Sequence, residues 1–149
     1  MAIKQIVQQN GKVFSWNEKA ITHKDYDKIM HLLREDVGKA HVSPSSLHRL
    51  YLFAVNSVKY DSNDIPKDVV TLNSEVLLAN ADHQRQLVKI VLPEKIHGRH
   101  DISVYSLLGL ACIGSRESEC LQVQHHNSKQ KLFVEKIMFQ PEKENVPYL

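Results

Sequence analysis

Apolar residues recur at two different periods along this chain of 149 residues, and the change of period divides it. Tyr26, Ile29, Met30, Leu33 and Val37 fall at spacings of three and four, which draws a single apolar stripe down a helix. Thr22 precedes His23-Lys24-Asp25, a capping-box-like start with the shorter Asp25 in place of glutamate. Gly38 is a natural terminator. Ser43 can cap a second helix and Pro44 suits its first position. Leu47, Leu50, Tyr51, Ala54, Val55 and Val58 supply the matching stripe. Two such helices joined by about five residues are expected to lie antiparallel as a helical hairpin, a short coiled coil. Each helix is then about 22 Å long at ~1.5 Å per residue.

Asp61-Ser62-Asn63-Asp64-Ile65-Pro66 breaks the helical pattern and reads as a linker. Beyond it the period shortens. Val69–Leu72, Glu75–Leu78, Gln86–Leu92, Ile102–Val104, Leu121–Gln124 and Lys131–Phe139 are strand candidates, rich in Val, Ile and Leu and bounded by turn-forming residues. In the last, Leu132, Val134, Lys136 and Met138 alternate with Phe133, Glu135, Ile137 and Phe139. One short helix interrupts the strands: Ser106 can cap it, Leu108, Ala111 and Cys112 share a face, and Gly114 sits where a C′ glycine belongs. The expected architecture is therefore α+β, a helical hairpin followed by an antiparallel sheet with one short helix packed on it. Asn10-Gly11 is a type I′ turn signal flanked by Val7, Val13, Phe14 and Trp16. Residues 1–20 thus read as an N-terminal extension, either a β-hairpin or a mobile tail. The hairpin occupies 21–63 and the sheet-containing domain 64–149.

Composition narrows the class. At 42% hydrophobic and 24% charged residues the chain is an ordinary globular one, and no apolar run approaches the ~18 residues that span a bilayer. Its first nine residues lack the continuous apolar core of a secretory signal. Cys112 and Cys120 have neither a C-x-x-C spacing nor a second pair to complete a zinc site, and they read as two reduced, inert thiols of a cytoplasmic protein. A net charge of only +2 argues against a dedicated nucleic-acid binder. Residues 1–63 carry 9 basic and 6 acidic side chains, and residues 64–149 carry 10 and 11. The surplus of positive charge lies in the helical part.

From Pro66-Lys67-Asp68-Val69-Val70-Thr71-Leu72-Asn73-Ser74 onward the sequence resembles the Gre-like transcription factors, in particular the Rnk branch, regulators of nucleoside diphosphate kinase. The resemblance runs through Leu87–Pro93, is specific again in Ile102–Gly114, where a serine, two glycines and an alanine keep the family's spacing, and closes with Phe139-Gln140-Pro141-Glu142. It implies an FKBP-like C-terminal domain docking at the rim of the bacterial RNA polymerase secondary channel, with a coiled coil pointing into that channel. It also implies contact with nucleic acid only through polymerase, and no membrane partner or cofactor. Gre factors hold the catalytic magnesium with two acids at the coiled-coil tip and drive cleavage of backtracked RNA. Rnk-type members look like shortened versions that occupy the site without cleaving.

The residues at the tip bear on that difference. Metal-assisted hydrolysis needs carboxylates converging on one ion with open positions. The tip holds Glu35 and Asp36 without the Gre pattern of Asp and Glu three apart followed by Asn-Ala. Adjacent helical residues point about 100° apart, so Glu35 and Asp36 read as solvated acids near a helix end. Neither transcript cleavage nor a resident metal is expected.

Where Gre factors grip polymerase with Asp-Ser-Pro, this chain has Tyr105-Ser106-Leu107. Either the contact is rebuilt around an aromatic, or Ser106 is simply a helix cap. The family's Gly-Asp after the helix is replaced by Ser118-Glu119, a remodelled turn. His97-Gly98-Arg99-His100 and His125-His126 read as loop histidines without ligands at metal spacing. A helix-turn-helix over 22–58 is the competing DNA-binding reading. Against it, Leu47, Leu50, Tyr51, Leu52 and Phe53 stand where base-reading polar groups belong, and only His48 and Arg49 suit that task.

Overall fold

The computed structural model describes residues 6–9, 12–15, 19–125 and 127–146. The first two strands, β1 (Ile6–Gln9) and β2 (Lys12–Ser15), pair antiparallel with Gln9 opposite Lys12. The Asn10-Gly11 turn itself, Trp16 and His126 lie outside the described residues.

Strand β3 (Ala20–Thr22) leads directly into helix α1 (His23–Asp36). The Thr22 hydroxyl accepts from the Asp25 N–H at 3.0 Å, so the cap forms where the sequence places it. The reciprocal half of a capping box is replaced by something else: the Asp25 carboxyl accepts from the Leu72 N–H at 3.0 Å. The helix ends at Val37, and Gly38 takes φ +82°, the left-handed turn open to glycine. Val37, placed on the apolar stripe by its spacing, is exposed there because the helix has already ended.

Helix α2 (Pro44–Asn56) starts at Ser43, whose hydroxyl accepts from Ser46 N–H at 3.3 Å. It stops before Val58, which instead opens strand β4 (Val58–Tyr60), paired parallel with β3. That pairing joins the start of α1 to the end of α2, while residues 37–43 join their other ends. The helices therefore run in opposite directions.

The remaining strands are β5 (Glu75–Asn80), β6 (Arg85–Val91), β7 (Asp101–Ser103), β8 (Cys120–His125) and β9 (Ser128–Phe139), in the order β7-β6-β5-β9-β8. The 12-residue β9 pairs with both β5 and β8. Register shifts in the β5–β9 pairing between Glu75 and Val76 and between Leu77 and Leu78 curl the sheet. Helix α3 (Leu107–Cys112) packs against β8.

Two expectations for the sheet are corrected. It is not wholly antiparallel: β7 pairs parallel with β6, because residues 92–100, including a 3-10 turn at Pro93–Lys95, carry the chain back so that His100 O accepts from Lys89 N–H at 2.8 Å. Val69–Leu72 is not a strand. Val69 makes one isolated bridge to Arg116, Val70 exchanges bonds with Gly114 and Ser115, and Thr71 N–H donates to the Ser74 hydroxyl at 2.9 Å. This apolar run is buried without a neighbouring strand to extend, so local turns satisfy its backbone.

One hydrophobic cluster runs across the whole arrangement. Ile29, Leu32 and Leu33 of α1 and Leu50 and Ala54 of α2 share it with Leu72, Leu78, Val88 and Ile90. Contact follows α1 along its length, since Asp25 touches Leu72 near its start and Asp36 touches Tyr105 at its end. The two helices and the sheet thus contribute side chains to one core.

Candidate functional site

The loop between β7 and α3 is fixed by one residue at its start. The Ser103 hydroxyl accepts from Tyr105 N–H at 3.0 Å, and the Ser103 carbonyl accepts from Ser106 N–H at 3.0 Å and the Ser106 hydroxyl at 2.7 Å. Ser106 Oγ in turn accepts from Gly109 N–H at 2.9 Å, so the cap read from the sequence is real. Gly109 is required for the approach: a Cβ there would overlap the Ser103 carbonyl oxygen. Residues 103–107 are thereby held in one geometry. Leu107 stands 40% exposed at the start of α3, beside Arg49 of α2.

Tyr105 is half-buried, and its O–H donates to Asp36 Oδ2 at 3.0 Å. Burial raises the phenol pKa, and the Asp36 carboxyl raises it further. Lys39 Nζ lies 3.6 Å from the other Asp36 oxygen. The structure thus brings together two groups that the sequence keeps apart, the helix-end acid and the Tyr105 loop.

Asp36 is not the solvated acid its position suggests: it is 7% exposed. The end of α1 turns this side chain toward the Tyr105 loop, where the phenol meets it. Glu35 is exposed, as expected, and lines a groove of about 1120 Å³ that Asp36 also borders.

That groove runs between α1, the edge formed by Asn73, Glu75, Lys89 and Val91, and the connection 92–101. Lys28, His31 and Lys39 line one side, and Lys89, Lys95 and Arg99 the other, with Glu35, Asp36, Glu75, Glu94 and Asp101 among them. The His97-Gly98-Arg99-His100 turn on its rim is shaped by Asp101, whose Oδ2 accepts from the N–H groups of His97 and Gly98 at 2.9 Å each. Those donors hold the Asp101 carboxyl below its usual range, the Gly98 bond most of all. Among the described residues no group of three or more His, Cys, Asp or Glu is placed to share a metal ion, and no helix is long and apolar enough to cross a membrane.

A second buried carboxyl escaped the sequence reading as a site. Asp25 is 4% exposed. Burial, and after it the charge of Glu142, pushes its pKa up to about 7 against the pull of the Leu72 N–H. Glu142 itself accepts from the Thr71 hydroxyl at 2.7 Å, and Thr71 is 2.8 Å from the Ser74 hydroxyl. The only sequence signal for this cluster is the Phe139-Gln140-Pro141-Glu142 motif, whose Gln140 donates to the carbonyls of Pro66 and Val69 at 3.0 and 2.8 Å. Burial also places the Cys112 thiol at about 12, which keeps it protonated and unreactive. Cys120 is a free, exposed cysteine.

The Ser118-Glu119 turn holds without its glycine. Ser118 adopts φ +71° and its N–H donates to Val134 O at 2.7 Å, while Glu119 accepts from Arg116 N–H at 2.8 Å.

Residues 65–139 match the family model described as transcription elongation factor GreA/GreB, C-terminal. No curated protein matches the sequence. Among solved structures, a prokaryotic transcription elongation factor GreA/GreB from Nitrosomonas europaea is 17% identical, with a TM-score of 0.69, over 83% of this chain and 100% of that one. At that identity the likeness concerns the fold. The GreA factor homolog 1 (Gfh1) protein of Thermus thermophilus is 18% identical over 83% of this chain and 100% of its own, with a TM-score of 0.42.

Proposed function

Since this chain belongs to the GreA/GreB family of transcription elongation factors, we propose that it regulates transcription by binding bacterial RNA polymerase at the secondary channel without cleaving transcripts, in the manner of the Rnk branch. The carrying observation is the end of α1. Asp36 is 7% exposed and takes the Tyr105 hydroxyl as donor, with Lys39 at its other oxygen, while Glu35 beside it is exposed. A carboxylate already engaged by a phenol and a lysine is not free to share a magnesium ion with its neighbour. Reach supports the same reading: α1 has 14 residues, about 21 Å at ~1.5 Å per residue, and its last residues are tied back to the Tyr105 loop.

Docking is assigned to residues 103–107. Leu107 supplies an exposed apolar contact at the position of the family's proline, and the Ser103–Ser106–Gly109 bonds keep the loop rigid. The mechanism is occupancy: a factor seated at the channel rim excludes cleavage factors from it.

The test is a pull-down of polymerase core, then competition with a cleavage factor on backtracked complexes. Displacement of the cleavage factor with no RNA released by this protein alone is expected. Failure to bind polymerase refutes the reading, and release of cleaved RNA refutes its non-cleaving part. Leu107→Asp serves as the docking variant. An acid at the first position of a helix favours the dipole, so a loss of about tenfold or more in polymerase affinity is expected from an intact fold.

A further inference from the structure

The sheet ends on one side at β8, which is bonded to a neighbouring strand, β9, along one edge only. The turn before it fixes which backbone groups face outward. Ser118 N–H donates to Val134 O at 2.7 Å and Val134 N–H to Glu119 O at 3.0 Å, with Ser118 at φ +71°. This is a G1-type bulge with serine in the glycine position. Glu119 thus bonds toward β9, and antiparallel alternation gives the next bonds to Leu121 and Val123, opposite Leu132 and Gln130. The N–H and C=O groups of Cys120, Gln122 and Gln124 therefore point away from the sheet, and no described residue bonds to them.

An open edge is ordinarily blunted by lysine, proline or a covering element. Strand β8 contains neither lysine nor proline, and its bulge lies ahead of these three residues. Cys120, Gln122 and Gln124 are exposed, while Leu121 and Val123 turn into the core. Beside Gln122 and Gln124 runs a groove of about 430 Å³ whose other wall is Arg49 and Leu107. The charges around these two glutamines are positive: exposed Arg49 across the groove, and exposed Lys131 and Lys129 as their partners on β9. Glu117 and Glu119, at the bulge, accept from the N–H groups of Ile137 and Arg116. Two copies of this edge would bring like charges together, whereas an acidic strand is attracted to it.

We propose that β8 takes up an acidic, extended segment of a partner protein as a sixth strand of the sheet, bonded to the backbone of Cys120, Gln122 and Gln124. Main-chain bonds hold such a segment and its alternate side chains select it. One set falls against Leu107 and Arg49 in the groove, the other beside Gln122 and Gln124 on the lysine face. This goes beyond the docking reading above and is tested without polymerase.

The probe is the blocked peptide Glu-Val-Glu-Asp-Glu-Val-Glu, titrated into the whole chain at low salt and followed by amide NMR and hydrogen exchange. At saturation, exchange at Cys120, Gln122 and Gln124 is expected to slow about tenfold or more, with little change at Leu121 and Val123. Added salt weakens binding, and the peptide with lysine at every acidic position binds about tenfold more weakly or worse. Gln122→Pro removes an outward donor but no bond to β9, and abolishes binding. Should it fold poorly, combined Arg49→Glu, Lys129→Glu and Lys131→Glu, all at exposed positions, provides the test by inverting the preference between the two peptides. No change at the three amides up to millimolar peptide, or equal binding of the two peptides, overturns the proposal. So does protection of those amides in the chain alone: lost on dilution, it makes a second copy the occupant; kept, it makes the occupant another part of this chain.

Discussion

Asp25 shows what burial does to a carboxyl that a local rule would leave at the surface. Its backbone N–H completes the Thr22 cap, while its side chain leaves the helix for Leu72, 47 residues away. Its pKa is raised to about 7 from an ordinary 3.8, so the stability it carries is full below pH ~4 and lost as pH rises to 7. Asp25→Asn is therefore expected to stabilise the protein at pH 7.5 by an amount on the order of 4 kcal/mol, at ~1.36 kcal/mol per pKa unit, and to flatten the pH dependence between 4 and 7. Denaturant melts at pH 5 and 7.5 check both. Tyr105→Phe removes the donor to the buried Asp36, and a loss of about 1–2 kcal/mol is expected in the same melts. Ser106→Ala is expected to cost roughly 1 kcal/mol as a lost cap. The three caps, Thr22, Ser43 and Ser106, were legible because a cap reads only its next three residues. The partners of Asp25 and Asp36 were not, because both are distant in sequence.

At the scale of elements, close approach and charge arrive from outside each helix. Lys59 donates to the carbonyls of Ala54, Val55 and Ser57 at 3.0, 3.3 and 3.0 Å and so covers the end of α2, which has no basic residue in its own last turn. Lys19 does the same for α3 through Ala111 and Ile113 at 3.2 and 3.3 Å, and burial lowers its pKa. Lys19 precedes β3 and Lys59 lies within β4, a strand pair that the helical spacing hid because Val58 continues the apolar stripe of α2. Gly109 fixes the height of α3 over β7. Gly109→Ala is expected to cost about 2–3 kcal/mol as overpacking, because the obstructing atom is a backbone carbonyl that cannot swing away. The same substitution is expected to weaken polymerase binding, because it shifts the whole 103–107 loop. A binding titration on the folded variant checks it.

For the molecule as a whole, the apolar stripes of α1 and α2 are the lid of one core. Ile29 and Leu50 are fully buried, and so are Leu78 and Ile90 across residue 63. Burying such a side chain is worth about 1.5–3 kcal/mol, so a chain reduced to residues 64–149 is expected to lose cooperative unfolding and to bind a hydrophobic dye. A sharp melt of that fragment would contradict the shared core. The surplus positive charge of the first 63 residues also finds a place: Lys28 and Lys39 face Lys89, Lys95 and Arg99 across the groove beside α1. Charges that look like the property of an arm are one wall of a surface feature.

What the sequence alone determined was local or periodic: two capped helices of the right length, five of the six proposed strands, the capped α3 and the family motifs of residues 66–142. Those follow from spacing, because helix and strand periods and caps act over a few residues. Only the tertiary structure decided where the helices lie, that β7 runs parallel to β6, and that Asp36 meets Tyr105. These depend on which apolar faces find each other and on which buried polar groups must then be satisfied, and no window of neighbouring residues contains that information.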